Sequence, residues 1–264
     1  RDAATVILMR ESRDAAVPFE ILLVRRHAKS RFCSEFHVYP GGMLDASDWE
    51  PDIENFCTGI DCKTAGSLML DLSPLKALGS WAAGIRETFE EVGILFANDI
   101  SGSLVSFQSP EDRKRFQAYR KEMSKGKLRL QDMLKAEALK LSADKLFYFS
   151  HWITPEALPL RYNVRFFVAR APQCQEALHD GYELTDHIWV SPAQALRAYK
   201  QGSLALVLPT ISTLAELTVF KTIDEVIKST KGKKIPAILT RMEFVEDNYV
   251  EIMPDGSIFG PSPV

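Results

Sequence analysis

Residues 79–94 read GSWAAGIRETFEEVGI, and the predicted fold is organised around them. Apolar residues recur here at three- and four-residue spacing: Leu78, Ala82, Ile85, Phe89 and Val92. That period predicts an amphipathic helix with one buried stripe. Gly93 is the residue type that most often ends a helix, so we expect the helix to stop there.

Three glutamates of this stretch fall on the face opposite the apolar stripe. At about 100° per residue, Glu87, Glu90 and Glu91 share one arc, and like charges at i,i+3 and i,i+4 spacing destabilise a helix. The macrodipole also disfavours anions in the last turn. Arg86 relieves part of this repulsion through an i,i+4 contact with Glu90, and the rest requires another cation. Because Mg²⁺ takes carboxylate oxygens, the face is either a metal site or a solvated acidic surface.

The order of residues within the helix favours the first alternative. Arg86 to Ile94, RETFEEVGI, resembles the core of the Nudix box, R-E-U-x-E-E-x-G-U, with Thr88 as a mild departure. The box normally begins with a Gly and then a Glu, and Tyr39-Pro40-Gly41-Gly42 followed by Asp48 resembles that beginning. The spacer between Asp48 and Arg86 is much longer than the family's. The sequence is therefore identified as a Nudix box split by an insertion at residues 49–78.

The composition is ordinary for a globular protein. The chain has 264 residues, of which 46% are hydrophobic and 25% charged, which is enough for one sizeable domain. The net charge of −3 gives no reason to expect nucleic-acid binding. No apolar run is long enough to span a membrane, and the first apolar run is too short for a signal peptide. We therefore expect no nucleic-acid partner, no membrane and a cytoplasmic location.

The chain end and the cysteines also bear on the compartment. The last residues, Ser262-Pro263-Val264, are not a peroxisomal targeting tripeptide. A peroxisomal location follows only if the natural C-terminus is longer. The four cysteines lack the second close pair of a zinc site, so free thiols in a reducing compartment are expected: Cys33, Cys57, Cys62 and Cys174.

Patterns along the rest of the chain predict an α/β fold. Strands are expected at 4–10, 19–25, 37–39, 102–108, 145–153, 163–171 and 187–190, with two more within 236–252. Helices are expected at 109–125, 130–141 and 192–199, with one or two within 209–228. A mixed sheet between helices is the natural architecture, and the Nudix resemblance implies an α/β/α sandwich. We expect one domain, 1–264, with the insertion at 49–78 shaping the pocket and a helical addition at about 109–142 that lacks catalytic groupings.

The Nudix resemblance also implies a chemistry. The family hydrolyses nucleoside diphosphates linked to another moiety, so the expected partner is a small-molecule nucleoside diphosphate derivative. Divalent ions held by carboxylates neutralise a pyrophosphate and lower the pKa of bound water. The implied Mg²⁺ or Mn²⁺ ligands are Glu87, Glu90, Glu91 and the carbonyl of Gly42. Glu87 is expected to ligate or to act as the base, and Arg86 to orient Glu90.

The family often takes a further base from outside the box. Glu183 is a candidate because it precedes the strand expected at 187–190, and its alternative is a surface loop glutamate. His151 is either catalytic or a satisfied core histidine. Asp48 is one methylene shorter than the family's Glu, which leaves its role undetermined.

Three blocks outside the helix resemble the coenzyme A diphosphatase branch of the family, the nucleoside diphosphate-linked moiety X motif 19 type. They are HVYPGGMLDASD at 37–48, HWITPEALPLRYNVRFFVA at 151–169 and LVLPTISTLAEL at 206–217. This resemblance implies CoA or acyl-CoA as the substrate. The alternatives are an ADP-ribose or dinucleotide pyrophosphatase and a non-catalytic Nudix-fold nucleotide-binding or regulatory module. The three intact helix carboxylates favour an enzyme.

A CoA-like substrate carries a pyrophosphate and a 3′-phosphate, so it needs cations beyond the metals. Arginine suits this because its planar fork binds phosphate through two hydrogen bonds. The candidates are Arg25, Arg26, Arg31, Arg161 and Arg165. Arg161 is preferred because it lies in a block that matches the CoA branch, although each has a surface role as its alternative. A homodimer is left open beside a monomer.

Overall fold

The fold is built on a mixed sheet whose central strands bury side chains on both faces. The computed structural model describes residues 1–28, 34–107, 109–179, 184–245 and 248–260. In these ranges the strands are β1 (Asp2–Glu11), β2 (Phe19–Arg26), β3 (His37–Val38), β4 (Gly41–Met43), β5 (Cys57–Thr58), β6 (Ala97–Asn98), β7 (Lys140–Ser142), β8 (Phe147–Ile153), β9 (Asn163–Arg170), β10 (Leu184–Val190), β11 (Ala237–Leu239), β12 (Arg241–Val245), β13 (Asn248–Ile252) and β14 (Ile258–Phe259).

The helices cover both faces of this sheet. They are α1 (Cys62–Leu68), α2 (Pro74–Val92), α3 (Pro110–Met123), α4 (Leu130–Ala136), α5 (Pro192–Lys200), α6 (Leu208–Leu217) and α7 (Ile223–Ser229), with short 3₁₀ turns at Ala46–Trp49, Ile53–Phe56 and Ala143–Lys145. Within the described residues, no helix combines the length and the apolar character needed to cross a membrane.

The main sheet has the strand order β10-β2-β1-β9-β8-β11, with β3 paired to β2 and β4 paired to β1. Strands β1 and β9 are parallel over their whole shared length, whereas β1–β2, β2–β10 and β8–β9 are antiparallel. Two small sheets lie outside it, with the orders β5-β7-β6 and β12-β13-β14. Strands β4 and β9 therefore lie on opposite edges of β1.

Alternation along β1 divides the core into two layers. Ala4, Val6 and Leu8 belong to the same buried cluster as α2, whereas Ile7 and Met9 pack with residues of α5, α6 and α7. Successive strand side chains point to opposite faces, so one strand supplies both cores. The result is the α/β/α sandwich that the sequence predicted.

The central helix confirms the predicted stripe and end, but it begins earlier than predicted. The five stripe residues are fully buried or nearly so. Gly93 ends the helix with a φ of 73°, in the left-handed region that favours glycine. The start lies at Pro74, where the side chain of Ser73 accepts the N–H of Lys76 at 3.3 Å. Ser followed by Pro is a common start signal, so the first turn was readable in the sequence.

Two elements differ from the predictions, one helix in its length and one strand in its existence. The helix predicted at 130–141 ends at residue 136, and β7 follows as the middle strand of a small sheet between β5 and β6. The strand predicted at 102–108 is wrong for its described residues, where Leu104 forms an isolated bridge to Asn98. Pairing with distant segments outweighed local pattern in the first case.

Candidate active site

The site begins where the glycine strand β4 passes beside the C-terminal half of α2. Strand β4 is held antiparallel to β1, with Gly41 opposite Thr5 and Gly42 opposite Ala4. The backbone N–H of Gly41 donates to Oε2 of Glu91 at 2.8 Å. A Cβ at Gly42 would lie 2.4 Å from the carboxyl atoms of Glu87, so glycine alone leaves room for that side chain.

Arg86 is the centre of the charge network. Its Nε and Nη2 donate to the two carboxylate oxygens of Asp48, each at 2.9 Å. Its Nη1 donates to Glu87 at 2.9 Å and to Glu90 at 3.3 Å, and its Nη2 also donates to the carbonyl of Met43 at 2.8 Å. The Glu90 contact was predicted, and the Asp48 contact resolves a role that the sequence left undetermined. Asp48 anchors Arg86, which in turn orients two of the three glutamates.

The three glutamates are not a solvated surface. The side chains of Glu87 and Glu90 are only 14% and 16% exposed, and Glu91 is 4% exposed. Burial raises the pKa of Glu87 to about 7, against the opposing charge of Arg86 and with Glu90 adding to the rise. Burial also raises the pKa of Glu90.

Arg86 carries one positive charge, and its guanidinium pairs with three carboxylates, those of Asp48, Glu87 and Glu90, so it does not offset all of the negative charge gathered here. Three carboxylates form an oxygen donor set, which suits a hard divalent cation such as Mg²⁺ or Mn²⁺. Their donor chemistry therefore fits a divalent metal ion, although in the described structure their carboxylate oxygens do not all lie within 4.8 Å of one another.

Arg120 is a contributor that the sequence reasoning missed. It reaches from α3 to the end of α2, where its Nε donates to the carbonyl of Glu90 at 2.7 Å and its Nη2 to the carbonyl of Glu91. The last carbonyls of a helix have no N–H partner within it. The signal was present, because Arg120 lies between Phe116 and Met123 on the buried stripe of α3, and a cation on such a stripe indicates a buried partner.

A cavity of about 500 Å³ lies next to the glutamates. Ala3 and Thr5 line it, whereas Ala4 and Val6 pack with α2, so the cavity lies on the face opposite that helix. The glutamates line it nonetheless, because they reach it beside the glycines of β4. Its charged lining residues are Arg26, Asp45, Arg86, Glu87, Glu90, Glu91 and Glu251. Its apolar lining, called the apolar wall below, includes Trp152, Ile153, Pro155, Leu158, Val164, Phe166, Val207 and Pro209.

The insertion at 49–78 and the helical addition at about 109–142 differ in whether they line the cavity. None of residues 49–78 is among the described residues that line the cavity, and the expectation that they shape the pocket stays a prediction. Met123, Ser124 and Gly126, which belong to the addition, do line it. The insertion instead contributes core residues such as Ile53 and Met69.

Two of the five candidate arginines follow each other at the end of β2 and have different surroundings. Arg26 lines the cavity, and its Nε is buried without a hydrogen-bond partner. Arg25 has an exposed side chain that donates to Glu35 at 3.0 Å. Arg31 lies outside the described residues. Among the described candidates, Arg26 is therefore the one that lines the cavity.

The structure gives Arg161 and Arg165 other partners. Arg165 is completely buried and donates to Asp2 at 2.6 Å and to Asp71, so it ties the insertion to the sheet. Arg161 donates to the carbonyl of Thr154 at 3.1 Å. Neither Arg161 nor Arg165 is among the described residues that line the cavity, so Arg26 is better placed to contact a substrate, and the contact of Arg161 with phosphate stays a prediction.

Of the two candidate bases outside the box, the structure describes His151. Glu183 lies outside the described residues. His151 is 5% exposed and its Nε2 lies against the side-chain oxygen of Asn163. Burial lowers the pKa of His151. This surrounding matches the alternative of a satisfied core histidine.

Known Nudix proteins are similar to the chain over most of its length. A family model described as the NUDT19 Nudix domain matches residues 78–217. The chain is 25% identical over 276 residues to an acyl-coenzyme A diphosphatase NUDT19 of Xenopus laevis, covering 93% of this chain and 72% of that protein. It is 24% identical over 314 residues to the Gallus gallus protein of the same name, covering 100% and 80%. A Nudix hydrolase structure from Alicyclobacillus acidocaldarius superposes with a TM-score of 0.70 at 25% identity, covering 86% of this chain and 95% of that one.

Proposed function

Because this chain belongs to the family of the NUDT19 Nudix domain and is a pyrophosphohydrolase, we propose that it hydrolyses the pyrophosphate bond of coenzyme A or an acyl-coenzyme A. The observation that carries this substrate is the cavity, whose lining residues divide into a charged set and the apolar wall. CoA has the same division, with a nucleotide pyrophosphate at one end and a long uncharged pantetheine or acyl arm at the other. ADP-ribose and dinucleotides are polar at both ends and would leave the apolar wall unused.

We assign the metal site to Glu87, Glu90, Glu91 and the carbonyl of Gly42. Nudix hydrolases use divalent metal ions, and Mg²⁺ or Mn²⁺ fits an all-oxygen donor set. When bound, the metal neutralises phosphate charge and lowers the pKa of a coordinated water. The protein's part is positional: the Gly41 N–H holds Glu91, and Arg86 holds Glu87 and Glu90. Glu87 serves as a ligand or as the base.

We assign one phosphate of the substrate to Arg26. Arg26 lines the cavity, and its Nε has no hydrogen-bond partner in the structure, so its guanidinium gains from pairing with an anion bound there. A phosphate is the strongest acceptor in CoA, and an arginine binds it through two parallel hydrogen bonds. Arg26 and the metal held by the glutamates would together neutralise the negative charges of the substrate phosphates.

The test is a substrate panel with the purified chain and Mg²⁺ in excess. The panel contains CoA, 3′-dephospho-CoA, a short and a long acyl-CoA, ADP-ribose and a diadenosine polyphosphate. We expect the highest kcat/KM on a CoA derivative, with adenosine 3′,5′-bisphosphate and the phosphopantetheine half as products. A higher kcat/KM on ADP-ribose or the dinucleotide would contradict the proposed substrate while leaving the hydrolase class untouched.

The matched control for this assay is Glu91→Gln. Glutamine can still accept the N–H of Gly41, but it removes a charged ligand from a repulsive cluster. We expect turnover to fall by roughly 10²-fold or more, as losses of groups at reacting centres do, with an unchanged Tm. Near wild-type turnover would remove Glu91 from the metal site. Chelation followed by Mg²⁺ or Mn²⁺ alone tells which ion restores more activity.

The remaining expectations of the sequence are also proposals. One domain over residues 1–264 is supported by the main sheet, which borders both buried clusters. The oligomeric state, monomer or homodimer, is measured by light scattering on the purified chain. The cytoplasmic or peroxisomal location is measured by imaging the natural full-length protein.

A further inference from the structure

A second group of side chains that can bind a metal lies at β10, the outermost strand of the main sheet. His179, Asp186 and His187 each offer one ligand atom, and these atoms all lie within 4.8 Å of one another. The Nδ1 atoms of the two histidines are 3.0 Å apart. In the part of the chain that the structure describes, this is the sole group of three His, Cys, Asp or Glu side chains that meets this distance. None of the three lines the cavity.

The strand geometry produces this convergence. Strand β10 pairs with β2, and its register shifts between Leu184 and Asp186. A register shift of this kind re-aims side chains relative to a regular strand. Oδ1 of Asp186 accepts the backbone N–H of His187 at 2.8 Å, which holds the carboxylate beside the imidazole and leaves Oδ2 available. His179 comes from the segment after β9, so two separate segments supply the ligands.

The charges around the histidines favour the ligating form. Two protonated imidazoles repel each other at 3.0 Å, so at most one ring carries a proton on its facing nitrogen. Burial lowers the pKa of His187, the neighbouring His179 and Arg10 lower it further, and Asp186 opposes them. A neutral imidazole is the form that binds a metal.

We propose that His179, Asp186 and His187 bind a transition-metal ion, with Zn²⁺ as the best match, at a site separate from the glutamates of α2. Two imidazoles and one carboxylate suit Zn²⁺ and are a poor set for Mg²⁺. Three protein ligands leave the fourth tetrahedral position to water. The ion would fasten the segment that carries His179 to the edge strand β10. This inference is independent of the proposed substrate.

The experiment separates the two metal sites by their chemistry. The full chain is stripped with a chelator, saturated with Mg²⁺ to occupy the glutamates, and titrated calorimetrically with Zn²⁺. We expect binding at a single site that Mg²⁺ does not displace. His179→Gln and His187→Gln should each weaken that binding by about tenfold or more, and Asp186→Asn should weaken it as well. His27→Gln is the control, because it removes a histidine outside the group.

A second measurement covers variants that change the fold. Zn²⁺ should raise the Tm of the wild-type chain by mass action, and it should raise the Tm of His27→Gln equally. It should not raise the Tm of the three site variants. If a histidine variant fails to fold, Asp186→Asn decides, since its side chain is exposed. Unchanged Zn²⁺ affinity in the site variants, or Zn²⁺ binding that excess Mg²⁺ abolishes, would overturn the proposal.

Discussion

One buried ion pair joins the two parts of the split Nudix box. Asp48 precedes the insertion and Arg86 follows it, and both side chains are almost completely buried. The pair has two parallel hydrogen bonds of 2.9 Å, the geometry in which arginine and carboxylate interact most strongly. Because burial removes the water that would screen either charge, each needs the other.

Asp48→Ala should therefore lower the free energy of unfolding by about 3 kcal/mol, because it removes two hydrogen bonds from a buried guanidinium and leaves it only its partners in α2, Glu87 and Glu90, and the carbonyl of Met43. Asp45→Ala is the matched control. Asp45 is exposed and lies 3.8 Å from the same guanidinium, so its loss should cost about 1 kcal/mol or less. Urea unfolding of both variants measures the difference. Similar losses would mean that the buried pair has no special weight.

Arg26 and Arg25 form a second matched pair of single residues. Arg26→Ala should raise KM for CoA, because losing one charge-assisted hydrogen bond costs roughly 1.5–3 kcal/mol. Arg25→Ala should leave KM almost unchanged, since Arg25 pairs with Glu35 at the surface. The Arg26 effect should shrink as ionic strength rises.

Steady-state kinetics on CoA and 3′-dephospho-CoA show which phosphate Arg26 contacts. Equal losses on both substrates place it at the pyrophosphate, and a loss confined to CoA places it at the 3′-phosphate. Equal KM changes for Arg25→Ala and Arg26→Ala would remove Arg26 from the site.

At the scale of elements, α3 supports the catalytic end of α2 through Arg120. Its guanidinium bonds two successive carbonyls and places a cation at a helix C-terminus, where the macrodipole favours it. Both bonds go to backbone carbonyls at the end of α2, so Arg120 acts as a positioning residue. Loss of Arg120 is therefore expected to shift the positions of Glu90 and Glu91 at the end of α2.

Arg120→Ala should raise the Mg²⁺ concentration needed for half-maximal activity by severalfold. Arg120→Lys should recover only part of the loss, because an ammonium lacks the fork that bonds both carbonyls. Lys121→Ala, an exposed neighbour on the same helix, is the control. Mg²⁺ titrations of activity give the readout. A lower Tm with an unchanged Mg²⁺ requirement would reduce Arg120 to a purely structural residue.

At the scale of the whole molecule, the insertion is part of the core. Met69 is 1% exposed within the α2 cluster, whereas its neighbour Leu70 is 89% exposed. Arg165 adds a polar connection from the sheet to Asp71. Residues 49–78 therefore support α2 from the side away from the cavity, and their removal would unfold the protein before it altered substrate choice.

Met69→Ala should lower the free energy of unfolding by about 2–5 kcal/mol, since it leaves a cavity in a packed core. Leu70→Ala should change it by about 0.5 kcal/mol or less. Neither variant should change KM on any substrate of the panel at a temperature where both are folded. A changed substrate profile in Met69→Ala would support the expectation that residues 49–78 shape the pocket.

The sequence by itself determined the features that depend on local spacing. Helical period placed the buried stripe of α2 and its end at Gly93, and residue order placed Glu87, Glu90 and Glu91 on one arc. Alternation predicted β1, β2, β8 and β9 closely. The Nudix family followed from the same short stretches. These features share a cause, since residues a few positions apart have positions fixed by the helix or strand alone.

Tertiary structure decided everything that depends on residues far apart in the chain. Arg25 and Arg26 look alike in the sequence, and only packing leaves a donor of Arg26 buried without a partner. Arg120 meets α2 across a contact between two helices. The order of the strands decides which apolar side chains line the cavity together with the glutamates. Spacing cannot supply such information, because the distance between these residues depends on how the elements pack and not on the number of residues between them.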